Sequence, residues 1–305
     1  MQHVLVTGAG SGIGRAIALR FAAAGAQVSL LGRRVEALEA TAALAAEPGG
    51  LRAYACDVRE EASVRAAVAA AAGDLGPLQV VVSNAGVGGP NGPCFQEEHT
   101  ADRFEELVST NLGGTYRLFR AALEHLAPAS PDAHGAGTRR HLVAVSSILA
   151  RIGVAGYSGY CASKAGVSGL VRALAAELAP LHVQVNAVAP GWVDTAMARE
   201  GLEGMAAAMG ITQDEALAIA MKDVPLGRMG RPEEIAGLIA GDLTLVGLAL
   251  ALLGVLRLRR DRPAVAVALP LILAGNIWYF FDYLQAASPE FYLPSIATLA
   301  VLAGM

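Results

Sequence analysis

Over the first 240 residues, polar and apolar positions alternate between two periods. Short, mostly apolar runs recur at 3–6, 27–31, 51–55, 78–82, 141–145 and 183–188, the pattern of strands buried on both faces. Between them, residues 15–24, 35–46, 102–126 and 159–178 place apolar side chains every three or four positions, as helices packed on one side do. In the 159–178 stretch the stripe is Val167, Leu170, Val171, Leu174 and Leu178. A further helix begins near Glu60. Residues 196–232 are helical in pattern and rich in Met and Ala, with a break at Pro225-Leu226-Gly227-Arg228. Strands alternating with helices predict an α/β fold, a doubly wound parallel sheet covered on both faces. One domain over residues 1–240 follows, with 196–232 as a substrate lid or a peripheral helical pair.

The pattern changes after residue 240. Residues 243–256 carry no charge, an arginine-rich loop follows (Arg257, Arg259, Arg260, Arg262), and residues 264–281 are again uncharged. The second segment, as a helix, reaches about 27 Å against a hydrocarbon thickness of about 30 Å. Trp278 and Tyr279 near one end suit a membrane interface. Segments 243–256 and 264–281 are therefore candidate transmembrane helices in an apolar tail, 241–305. The first is short unless it takes in Asp242, at roughly 2.5–3.5 kcal/mol if central. The positive-inside rule places the arginine loop in the cytoplasm, and one intervening span would then put the 1–240 domain outside. Three readings stay open: helices packed onto the sheet, a membrane anchor, or a segment foreign to the domain before it.

Composition and charge narrow the function classes. A net charge of −4 argues against a nucleic-acid partner. The three cysteines, Cys56, Cys94 and Cys161, form no C-x-x-C, and the six histidines form no H-x-x-x-H. No disulfide framework or metal site is expected, and a reducing, cytoplasmic setting fits. Met1-Gln2-His3 leads directly into an apolar strand, without a signal-peptide pattern.

The chemistry-bearing residues fall at the ends of the strand-like runs. Thr7-Gly8-Ala9-Gly10-Ser11-Gly12-Ile13-Gly14 separates the first strand from its helix, an arrangement that sets backbone N–H groups and a helix N-terminus against a pyrophosphate. Gly8 allows the tight turn, Gly12 the close approach of phosphate, and Gly14 the packing of helix on strand; Ser11 and Ile13 complete the candidate loop. At the end of the second strand an acid would bond the ribose hydroxyls, but Gly32 stands there, followed by Arg33 and Arg34. This favours NADP over NAD. Asp57 and Val58 follow the third strand, with Asp57 also placed to cap the next helix. Asn84, Ala85 and Gly86 follow the fourth. Asn111 stands among Leu107, Val108 and Leu112, where a buried amide needs partners and disturbs the helix locally. Ser147 ends the fifth strand. Tyr160 and Lys164 lie four apart on one helix and so share a face, where a cation lowers the pKa of a phenol. Pro190, Gly191, Val193 and Thr195 follow the sixth strand.

Taken in order, the segments 7–14, 57–58, 84–86, Asn111, Ser147, Tyr160-Cys161-Ala162-Ser163-Lys164 and 190–195 closely resemble the short-chain dehydrogenase/reductase family over residues 3 to about 240. The resemblance implies a Rossmann-like domain and these roles. Tyr160 exchanges a proton with the substrate oxygen, and Ser147 holds and polarises that oxygen. Lys164 lowers the Tyr160 pKa and bonds the nicotinamide ribose, and Asn111 keeps a water in a relay to Lys164. Asp57 contacts adenine, Asn84 lines the adenosine side, and Val193 with Thr195 seats the carboxamide. Gly32-Arg33-Arg34 and residues 224–236 are similar to bacterial 3-oxoacyl-thioester reductases. The chain departs from the family after residue 240, where the usual seventh strand is missing and the sixth would be an open edge. The implied activity is hydride transfer between NADP(H) and a carbonyl or secondary alcohol, in a homodimer formed through the 102–126 and 159–179 helices. Two alternatives remain: a membrane-tethered nucleotide-binding module without turnover, and an NAD-linked hydroxyacid or polyol dehydrogenase.

Overall fold

The computed structural model describes residues 2–46, 50–92, 102–128 and 140–241. Six strands form one parallel sheet: β1 (His3–Thr7), β2 (Gln27–Gly32), β3 (Leu51–Ala55), β4 (Val80–Ser83), β5 (His141–Val145) and β6 (Gln184–Val188). Their order across the sheet is β3-β2-β1-β4-β5-β6. The order reverses between β1 and β4, and a crevice opens there beyond the carboxyl ends of the strands.

Side chains alternate across the sheet, so each strand feeds two cores. Val4, Val6, Val28, Leu30 and Val82 pack with Ile17 and Phe21 of α1 (Gly12–Ala23), Leu38 of α2 (Val35–Ala42) and Ala236 of α9 (Pro232–Ala240). Leu5, Leu31, Val81 and Leu142 pack on the opposite face. Their partners are Val64 and Val68 of α3 (Glu61–Leu75), Leu118 of α5 (Gly114–Leu123), and Val167 and Val171 of α6 (Ser158–Leu178). Burial on both faces is why the strands read as continuous apolar runs rather than as alternation.

The structure corrects several expected boundaries. The 102–126 stretch is not one helix: α4 (Phe104–Val108) and α5 are joined by a π-helical turn, Ser109–Gly113, that contains Asn111. The local disturbance expected around that amide takes this form. β4 starts at Val80, because Leu78 bridges to Leu126 instead. α2 ends at Ala42, four residues early. The 196–232 region divides a second time, since Gly210 (φ +65°) ends α7 (Ala196–Met209) and Thr212 caps α8 (Gln213–Met221) with Glu215 in a reciprocal box.

Among the described residues, β5 is the strand paired with β6, and no helix is long and apolar enough to cross a membrane. The candidate spans 243–256 and 264–281, with most of the 128–140 loop, lie outside the described residues.

Candidate active site

The loop after β1 takes the shape its glycines permit. Gly8 (φ +66°) and Gly12 (φ +51°) adopt left-handed conformations. A Cβ at Gly14 would collide with the Gly8 carbonyl oxygen and Asn84 Nδ2. From behind, Thr41 donates its hydroxyl to the Ala9 carbonyl (3.0 Å), and Arg15 donates to the Gly10 carbonyl. Ser11 is the N-cap of α1, yet its side chain makes no capping bond, so the first-turn N–H groups are left to another acceptor. Such a helix end, reached through a glycine turn, fits a pyrophosphate.

From this loop a cleft of about 150 Å³ runs outward past the ends of β2 and β3. Gly8, Ser11, Arg33, Asp57, Val58, Ala85 and Gly86 line it, as the sequence led one to expect. So do Arg59, Val87, Glu106 and Thr110, which it did not. Arg59 donates from Nη2 (2.6 Å) and Nε (3.0 Å) to the Asp57 carboxylate, which also accepts its backbone N–H (3.0 Å). This pairing holds the Asp57 carboxyl down at about 2. Glu106, bonded to Arg103 (2.7 Å), is likewise held below the usual carboxylate range, with Arg59 and Arg33 adding to the effect. Asn84 lies behind the cleft: its side-chain amide donates to the carbonyls of Thr7 (3.0 Å) and Gly8 (3.4 Å), tying β4 to the glycine turn.

Gly86 joins this cleft to a second cluster. A Cβ there would stand 2.9 Å from Asn111 Oδ1 and 3.6 Å from Lys164 Nζ. Asn111 is 1% exposed and fully engaged: Oδ1 accepts the Val87 N–H (2.9 Å), while Nδ2 donates to the Val87 carbonyl (3.0 Å) and Ser163 Oγ (3.0 Å). Lys164 Nζ lies 5.7 Å from the Tyr160 ring centroid and donates to the Val145 carbonyl (2.9 Å). Ser147 follows β5 and accepts the Leu149 N–H (3.2 Å). The net direction at the Tyr160 phenol is upward, against the lowering expected from Lys164. Burial pushes the phenol up, opposed by a hydrogen bond with Ser147, and burial pushes Lys164 itself down to about 8.

The loop after β6 closes the other side. Pro190 accepts the Ile148 N–H (2.9 Å), Val193 bridges to Gly230, and Thr195 caps α7 by accepting the Ala198 N–H (3.3 Å). Gly12 faces Thr195, whose methyl would be 3.1 Å from an added Cβ, whereas an added Cβ at Gly191 meets open space. Ile13, partly buried, packs against the α1 side of the sheet and does not line the cleft.

A family described as short chain dehydrogenase matches residues 2–206. The chain belongs to that family. This short-chain dehydrogenase is 40% identical over 239 residues to a ketoacyl reductase assigned to the monensin polyketide synthase of Streptomyces virginiae, covering 77% of this chain and 87% of that one. It is 34% identical over 240 residues to the 3-oxoacyl-acyl-carrier-protein reductase MabA of Mycobacterium tuberculosis, covering 78% and 84%. A crystal structure of an actinorhodin polyketide ketoreductase variant with NADPH superposes with a TM-score of 0.69 at 35% identity, covering 78% and 88%. The chain is thus a dehydrogenase/reductase of ketoreductase type, and its family uses a nicotinamide cofactor.

Proposed function

We propose that this enzyme reduces ketones of the 3-oxoacyl type with NADPH, through Ser147, Tyr160 and Lys164. The observation that carries the reading is the placement of Lys164 and Asn111 one glycine away from a nucleotide cleft bordered by Arg33, Arg34 and Arg59, with Tyr160 beside Lys164 and hydrogen-bonded to Ser147. When bound, the nicotinamide supplies a hydride to the carbonyl carbon. Negative charge then builds on the substrate oxygen, where hydroxyl donors stabilise it. Ser147 donates a hydrogen bond to that oxygen, and Tyr160 passes it its phenolic proton, leaving a secondary alcohol. The Lys164 ammonium stabilises the phenolate left behind. Asn111 pins Val87 to α6 through Ser163, which sets Gly86 against Lys164.

The names of the similar proteins support a ketone substrate, and the arginines at the cleft support a 2′-phosphate. The test is NADPH oxidation with a 3-oxoacyl thioester. Tyr160→Phe is expected to lower kcat by about 10²–10⁴-fold while leaving NADPH affinity within about threefold. A variant as fast as the wild type would overturn the assignment, and a wild type that binds NADPH without turnover would indicate a nucleotide-binding module. Arg33→Ala should weaken NADP+ by about tenfold or more and leave NAD+ unchanged. An unchanged NADP+ affinity would instead point to an NAD-linked dehydrogenase.

A further inference from the structure

α6 carries both Tyr160 and Lys164, yet its first turn is not capped from within. Its N-cap, Tyr157, makes no side-chain capping bond. An α-helix leaves its first N–H groups without intrahelical acceptors, and helix ends fray. Here the acceptor comes from 68 residues away: Asn91, in the loop after β4, accepts the Gly159 N–H on its Oδ1 (2.8 Å). Its Nδ2 donates to Ser158 Oγ (3.0 Å), and its backbone N–H donates to the Gly156 carbonyl (2.8 Å). One asparagine thus holds Gly156, Ser158 and Gly159, all within the stretch that leads into Tyr160. Asparagine suits the task, because its short carbonyl arm reaches the N–H groups of a helix start.

The loop that bears Asn91 is itself anchored. Asn111 binds both the N–H (2.9 Å) and the carbonyl (3.0 Å) of Val87, and Arg103 donates to the Gly88 carbonyl (3.1 Å). At the loop's start, a Cβ on Gly86 would stand 3.6 Å from Lys164 Nζ. At its end, Asn91 grips the residue before Tyr160. The loop therefore touches α6 beside both members of the Tyr160–Lys164 pair. α4 closes in as well, since a Cβ on Gly159 would stand 3.1 Å from Phe104 Cα. Asn91 does not line the nucleotide cleft.

We propose that Asn91 is a positioning residue for proton transfer: by capping α6 from the β4 loop, it fixes Tyr160 against Ser147 and the substrate oxygen. The inference rests on the reading of Tyr160 as proton donor. Tyr160 directly follows the capped Gly159, so a shift of that turn carries the phenol with it. A proton passes only within hydrogen-bond reach, and a misplacement of ~1 Å is enough to cost about 10²-fold in rate.

NADPH oxidation by the full chain with a 3-oxoacyl thioester, beside calorimetric titration with NADPH, tests it. Asn91→Ala should lower kcat by about 10- to 100-fold while leaving NADPH affinity within about twofold. The solvent deuterium isotope effect on kcat should rise, because proton transfer becomes the slow step. Asn91→Asp keeps an acceptor for Gly159 and Ser158, and should restore kcat to within about threefold of the wild type. Asn91→Gln, whose amide sits one methylene too far out, should behave as Asn91→Ala and replaces it should the alanine variant not fold. Wild-type kcat in Asn91→Ala, with Tyr160→Phe impaired, would overturn the proposal and leave Tyr160 its role. A kcat loss matched by an equal loss of NADPH affinity, or one that Asn91→Asp does not restore, would also overturn it, by marking a general disturbance of the loop. Wild-type turnover in Tyr160→Phe would overturn the reading of Tyr160 itself, and this proposal with it.

Discussion

Lys164 occupies a place where an ammonium is poorly solvated, 6% exposed on the face of α6 turned towards β5. Burial lowers its pKa from 10.5 to about 8, so the ammonium opposes folding at neutral pH. Below pH 8 both folded and unfolded chains carry the proton and the penalty is complete. Between about 8 and 10.5 the folded protein has lost it while the unfolded chain keeps it, and stability rises with pH. Lys164→Met, assayed without cofactor, is therefore expected to melt about 2–6 °C above the wild type at pH 7, with the gap closing towards pH 10.5. Scanning calorimetry across that range checks it, and a pH-independent difference would contradict it. The Tyr160–Lys164 pair was legible because four residues on a helix share a face. Arg59 was not: its carboxylate partner is two residues away, but only the fold sets both against Arg33.

Among the elements, β1 is held at its start by a buried histidine. His3 is 1% exposed; its Nδ1–H donates to the Gly76 carbonyl (2.7 Å) and its Nε2 accepts from Ser29 of β2 (2.8 Å). Burial pushes its pKa below 6.5. As pH falls through 6.5 the unfolded chain gains a proton that the folded one refuses, so stability declines until the lowered folded value is reached. His3→Gln is expected to flatten that decline, read as melting temperature between pH 7 and 5. The glycine loop has a steric limit of its own: Gly14→Ala drives a methyl into the Gly8 carbonyl and the Asn84 amide. It should lower the melting temperature and weaken NADP+ by about tenfold or more. The α4–π–α5 segment was half legible. A polar Asn amid leucines announced a disturbance, but not that the extra residue of a π turn would present Thr110 to the nucleotide cleft, which depends on how the segment packs beside Val58 and Gly86.

For the molecule as a whole, a net charge of −4 conceals a cleft bordered by Arg33, Arg34 and Arg59, with Asp57 and Glu106 as counter-charges. Because these charges are largely exposed, their attraction for a 2′-phosphate is screened by salt. NADP+ affinity should fall about 3- to 10-fold between 50 and 500 mM NaCl, and NAD+ affinity by less. Equal salt dependence would contradict a 2′-phosphate site. We also propose the homodimer through the 102–126 and 159–179 helices, where Phe104 and Tyr116 are exposed; Tyr116→Arg should shift sedimentation towards the monomer. The α/β class, the approximate strand positions, the glycine turn and the shared face of Tyr160 and Lys164 follow from local periodicity and short spacings, which any stretch of chain carries within itself, whereas the grouping of Ser147 with them came from the resemblance to the family. The strand order, the π turn, the direction of the Tyr160 shift and the meeting of Arg59, Glu106 and Thr110 around one cleft arise from contacts between residues distant in sequence. Burial and proximity are properties of the packed sheet and its helices, so they exist only once the chain has folded.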